Sequence, residues 1–208
     1  MTLIPLDKIS PRPMTDAQLR AAGRDPADLL GVILTHAHWD HVSGIPDFPG
    51  LQIMVSHEEA EFMESDDPAA ALVKSFGFLP VAPFNYRDVP YLGFERSFDV
   101  FGDGSMVVVP VPGHTPGAIV TFVHTEDGKH YALIGDLVWQ KEGIELPAER
   151  PWLARMLVDH DADGGPANQP AEAMSTRSVL RAAPWGRAGR WVPREDSMMF
   201  HAPSIRSS

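Results

Sequence analysis

The segment Ile33–Gly44, ILTHAHWDHVSG, sets three histidines and an aspartate within six consecutive positions directly after an apolar run. Imidazole nitrogen and carboxylate oxygen are the ligands that divalent zinc, iron and manganese accept, so the stretch points to a metal site. Residues two apart on an extended segment face the same way, so His36 and His38 can grip one cation from the end of a strand that closes at Thr35. Asp40 and His41 follow once the chain has begun to turn and face a different point. One short loop can thereby feed two neighbouring metals.

A single histidine near a strand end is ordinarily a surface or packing residue, so the reading needs further ligands from elsewhere in the chain. Two other strand ends offer them. VVVPVPGHTPGA puts His114 in a Gly- and Pro-rich loop after an apolar strand over 106–111, and YALIGDLVW puts Asp136 just after a strand over 131–134. A carboxylate has two oxygens and can bridge two cations about 3.5 to 4 Å apart, a known catalytic arrangement. His114 alone is a loop histidine and Asp136 alone a turn aspartate; with the first cluster they complete a set.

Around these motifs the chain alternates strand and helix signals. Gly31–Thr35 (GVILT) and Leu51–Ser56 (LQIMVS) read as buried strands, with a helix opening in EEAEFMES after the second. Thr15–Gly23 and Asp25–Leu30 read as short capped helical pieces. Phe78–Phe94 carries Pro80, Pro83 and Pro90 and reads as loop or irregular packing. From Ser97 to Asp136, short strands with a turn at Gly102–Gly104 and another at Glu126–Lys129 suggest antiparallel pairing. Ala148–His160 has helical apolar spacing. The domain is expected over 1–160, and 161–208, polar and rich in Gly and Pro at first, reads as a divergent, poorly ordered tail.

Composition narrows the partners. A formal charge of −11 with no basic run disfavours nucleic acid and anionic membranes, and no apolar run approaches the roughly 20 residues that cross a bilayer. Without cysteine there is no disulfide, thiolate ligand or cysteine nucleophile. The start lacks the order of a signal peptide, so a soluble cytoplasmic protein acting on a small molecule is expected.

The motifs THAHWDH (35–41), PGHTPG (112–117) and IGD (134–136), in this order and over about Asp28–His160, resemble those of the metallo-β-lactamase-fold hydrolase superfamily. The resemblance implies an α+β fold, an αββα sandwich of two mixed β-sheets flanked by helices. It implies His36, His38 and His114 on a first metal, Asp40 and His41 on a second, and Asp136 between them. Two Zn2+ ions are the expected cofactors, with Fe or Mn as alternatives. The implied activity is hydrolysis of an ester, thioester or lactone by a metal-bound hydroxide that Asp40 orients as the catalytic carboxylate. Asp136 and the absence of cysteine argue against a β-lactam hydrolase, and Trp139, where lactonase relatives often carry tyrosine, weakens the lactone reading. A glyoxalase-like thioesterase shares the three motifs, whereas diiron oxygen reductases of this fold tend to carry glutamate where His38 stands. Rival readings are a mononuclear iron oxygenase of the same fold and a vestigial metal-binding protein without activity.

The chain departs from the family pattern at both ends. Only 35 residues precede the first histidine, so N-terminal strands of the first sheet are expected to be missing, and a second copy of the chain would cover the exposed sheet edge. The family's late histidine has His201, in MMFHAP, as its best counterpart, ahead of His160; His57, His124 and His130 are expected in surface or packing roles.

Overall fold

The computed structural model describes residues 16–137 together with the backbone of 190–194 and 197–202. It divides into two compact units, one up to Phe84 and one from Asn85.

The first unit is built on a parallel sheet in the order β1 (Val32–Ile33), β2 (Ile53–Ser56), β3 (Val81–Phe84). Gly31 permits the approach of β1 to β2, because a Cβ there would stand 2.9 Å from the carbonyl oxygen of Gln52. The helices are α1 (Asp16–Ala21), α2 (Trp39–Val42), α3 (His57–Glu64) and α4 (Ala71–Ser75). The Ser56 hydroxyl accepts the Glu59 N–H and caps α3. On α3, Glu59, Phe62 and Met63 are buried at the i, i+3, i+4 spacing of one helical face. Phe62 and Met63 join Leu34, Ala37, Val42, Ile45, Ile53, Val55, Ala70 and Val73 in one apolar core.

Phe78–Phe94 is not irregular throughout, since β3 lies inside it. Pro83 pairs in register with Val55 from the edge of the described sheet, where a proline's missing N–H costs no ladder bond. The helical pieces expected near 15–23 and 25–30 appear as α1 and a 3-10 turn at Pro26–Asp28, where the Asp25 carboxylate accepts the Ala27 N–H.

The second unit is an antiparallel sheet in the order β4 (Phe98–Asp99), β5 (Met106–Pro110), β6 (Ile119–His124), β7 (His130–Leu133), β9 (Ser197–Ala202), β8 (Arg190–Arg194). The predicted strands and turns from Ser97 to Asp136 are all present. Val109, Val111, Val120, Phe122, Ala132 and Ile134 form the core of one face, closed by Phe94 and Tyr91. From the stretch read as tail, 190–194 and 197–202 contribute the antiparallel pair β8–β9, with β9 also paired to β7. The expected helix at Ala148–His160 lies outside the described residues.

Candidate metal centre

In a parallel pair both strands finish at the same end. The loop after β1 and the start of α3 after β2 are therefore neighbours. Leu34 still donates to the Met54 carbonyl at 3.2 Å, after which the chain leaves the sheet carrying His36. His36 is 1% exposed. Its ring lies 4.8 Å from that of His38, edge-on, and 4.0 Å from that of His41. One ligand nitrogen of His36 lies within 4.8 Å of one on His38, and one within 4.8 Å of one on His41.

The turn expected after His38 is α2. The His38 carbonyl accepts the N–H groups of His41 and Val42 at 2.9 and 3.1 Å, while its imidazole makes no capping bond. This turn swings Asp40 and His41 away from the extended segment. Asp40 Oδ2 comes to 3.7 Å from His41 Nε2, and about half of the Asp40 side chain is exposed.

The Thr35 hydroxyl lies 3.3 Å from His36 Nδ1 and 3.4 Å from His41 Nδ1. A partner on Nδ1 orients an imidazole and leaves Nε2 to serve as ligand, as around biological metal sites. Two buried or half-buried imidazoles so oriented, with a third beside them and a carboxylate on the same turn, form a nitrogen-and-oxygen donor set suited to zinc, iron or manganese. The donor chemistry fits a divalent cation.

In the second unit the antiparallel order brings the end of β5, the start of β6 and the end of β7 to one end of the sheet. The loop joining β5 to β6 is pinned by Val111 N–H to the Ala118 carbonyl at 2.8 Å, and Gly113 sits at φ 142°, where a side chain is strained. It holds His114, which is buried, beside the fully buried Thr115. Directly after β7, Asp136 lies in a single 3-10 turn, Gly135–Leu137. The His114 and Asp136 side chains meet with Nε2 and Oδ2 3.5 Å apart, although they come from different loops. Within each unit, the residues expected as ligands are thus neighbours.

His201 behaves differently. It pairs in register with Tyr131 on β7, whereas Asp136 lies five residues on, beyond the other end of that strand. At about 3.3 Å per residue its backbone stands roughly 15 Å from the His114 end of the sheet. His57 is exposed and pairs with Glu61 at 3.5 Å, the surface role expected of it. His160 lies outside the described residues.

His124 and His130 form a cluster that sequence reasoning had not assembled. They pair in register across β6 and β7 with rings 4.5 Å apart, Nδ1 facing Nδ1. The Tyr91 hydroxyl lies 2.6 Å from His124 Nε2. The available signal was register: His124 and His130 lie three residues either side of Asp127, which puts them opposite each other on the same face.

A family model described as the metallo-beta-lactamase superfamily matches residues 2–184. The N-acyl homoserine lactonase AttM of Rhizobium radiobacter is 29% identical over 140 residues, which are 66% of this chain and 52% of the relative. The N-acyl homoserine lactonase AiiA of Bacillus thuringiensis subsp. kurstaki is 29% identical over 128 residues, 61% of this chain and 46% of the relative. A solved structure of a B. thuringiensis AiiA variant with N-decanoyl-L-homoserine bound at its active site is similar with a TM-score of 0.51 at 25% identity. That match covers 62% of this chain and 47% of the other. The chain spans about half the length of the curated relatives it matches.

Proposed function

Because the chain belongs to the metallo-β-lactamase superfamily, we propose that it is a metal-dependent hydrolase of a lactone, ester or thioester carrying an acyl chain. The observation that carries this reading is the loop Thr35–His41, on which one hydroxyl addresses Nδ1 of two imidazoles while a third imidazole and a carboxylate stand beside them. The names of the relatives add weight to an N-acyl lactone and outweigh the contrary hint from Trp139, which lies outside the described residues.

In this reading His36, His38 and His114 would hold one cation, Asp40 and His41 a second, and Asp136 both; Zn2+ suits the donors best. A bound divalent cation supplies Lewis acidity and lowers the pKa of water from 15.7 toward about 7. Thr35 keeps the His36 and His41 rings in their ligand orientation. Asp40, the half-exposed carboxylate of the loop, orients the attacking water and accepts its proton. Trp39, two-thirds exposed between His38 and Asp40, offers the acyl chain an apolar surface.

Elemental analysis of the purified protein, combined with turnover of N-acyl homoserine lactones, aryl esters and thioesters before and after chelation, tests the reading. About two divalent ions per chain, with activity lost to chelator and restored by Zn2+, are expected. Two bound ions with none of these substrates hydrolysed would overturn hydrolysis. One iron per chain would favour the oxygenase, and no metal the vestigial protein.

A further inference from the structure

The carboxylate of Glu59 is 1% exposed, and its Oε1 accepts the backbone N–H of Ala37 at 2.6 Å, a bond that spans 22 positions of sequence. Ala37 is itself fully buried and stands between His36 and His38. An ionised carboxylate is acceptor-only and costly to bury, so a buried glutamate requires compensating donors. Its location supplies part of the compensation, because Glu59 occupies the first turn of α3, where N–H groups point outward and the helix dipole favours negative charge.

The bond falls at a critical point of the loop. The side chains of His36 and His38 diverge from the peptide units on either side of Ala37. Fixing the Ala37 N–H restricts the dihedrals that set the separation of the two imidazoles. The chain has just left β1 there, beyond the last sheet bond at Leu34, and α2 has not yet begun. Glu59 bridges that gap from a different strand–helix unit, β2–α3.

We infer that Glu59 is a positioning residue for the metal centre: its carboxylate oxygen, anchored at the start of α3, holds the His36–His38 segment in a cation-ready geometry. This rests on the metal-hydrolase reading above. Glu59 acts through the backbone of the loop, and loss of such an outer partner typically weakens metal affinity 10- to 100-fold.

The test is Zn2+ affinity, measured by competition with a chromophoric chelator on metal-free protein, for the wild type, Glu59→Gln, Glu59→Met and Glu59→Asp, alongside thermal unfolding of each metal-free protein. Gln retains an acceptor oxygen at the same reach and is expected to keep most of the affinity. Met fills the same space without an acceptor, and Asp keeps the charge but falls one methylene short; both are expected to lose 10- to 100-fold. Asp decides the matter if Met does not fold. If Met or Asp binds Zn2+ as tightly as the wild type while its melting temperature falls, Glu59 serves only the fold and the inference is overturned. If Gln, which keeps the acceptor, loses as much as Met while Asp, which keeps the charge, does not, charge and not the bond to Ala37 matters, and the inference is overturned as well. Wild-type protein that binds no metal would instead sink the metal-centre reading on which the inference rests.

Discussion

The Nε2 of His114 stands 3.5 Å from Oδ2 of Asp136, the two side chains arriving from separate loops at one end of the β5–β6–β7 sheet. On the metal-hydrolase reading, a cation would be held beside this pair, with the imidazole nitrogen and the carboxylate oxygen as ligands. Replacing Asp136 with Ala is therefore expected to weaken Zn2+ binding at least tenfold, about 1.4 kcal/mol, and to lower the metal count per chain after dialysis. Wild-type content and affinity in Asp136→Ala would remove that residue from the ligand set.

Much of this was legible because ligand motifs and strand runs are local signals. The apolar run before Thr35, the loop holding His114 and the turn after Ile134 each declared a strand end carrying a side chain, and the structure places all three at strand ends. What stayed hidden depended on pairing between distant segments. β3 carries Pro83, which in isolation argues against a strand and is harmless only at a sheet edge. Glu59 read as one acidic residue of an ordinary helix start, since its bond to Ala37 exists only once β1 and β2 lie side by side. The Tyr91–His124 contact likewise joins segments 33 residues apart. Even the strands 190–194 and 197–202 sit in a stretch whose polar, Gly- and Pro-rich beginning favoured a tail reading.

Trp39 is 67% exposed and stands in sequence between His38 and Asp40. If an acyl chain covers about 55 Å² of it, truncation costs about 1.4 kcal/mol, or tenfold in affinity. Trp39→Ala is expected to raise KM about tenfold for a decanoyl substrate and to leave the acetyl analogue nearly unchanged. Steady-state kinetics on the two chain lengths reads this directly. An equal loss on both would place Trp39 in the fold or the chemistry and not in chain recognition.

Phe122 is 1% exposed at the centre of β6, with Tyr91 and Phe94 tilted against its ring at centroid distances of 5.5 and 6.3 Å. Phe122→Ala removes a large buried ring that neighbouring strands are too constrained to replace. A loss of about 3 to 5 kcal/mol is expected. Urea unfolding followed by circular dichroism measures it; a loss below about 1 kcal/mol would mean that this face of the sheet tolerates a cavity.

Burial raises the Tyr91 phenol from 10.0 to about 12, with the nearby charge of Asp99 adding to the effect. Burial also lowers the pKa of His124, with His130 contributing. These directions agree with the geometry: a protonated phenol donates to a neutral His124 Nε2 at 2.6 Å, which puts the remaining His124 proton on Nδ1, facing His130. The sign for stability follows from proton counting. A histidine whose pKa is depressed on folding binds more protons unfolded, so its contribution is present above the ordinary value of about 6.5 and is lost as pH falls through the lower folded value. A tyrosine whose pKa is raised contributes below about 10 and loses that contribution as pH rises toward 12. Urea midpoints of the wild type are therefore expected to fall on acidification below about 6.5 more steeply than those of His124→Gln. Absorbance titration at alkaline pH is expected to show one tyrosinate step near 12 that Tyr91→Phe lacks. Equal acid slopes in the two proteins would mean that His124 titrates alike folded and unfolded, and a Tyr91 step near 10 would mean that its hydroxyl faces water and not His124.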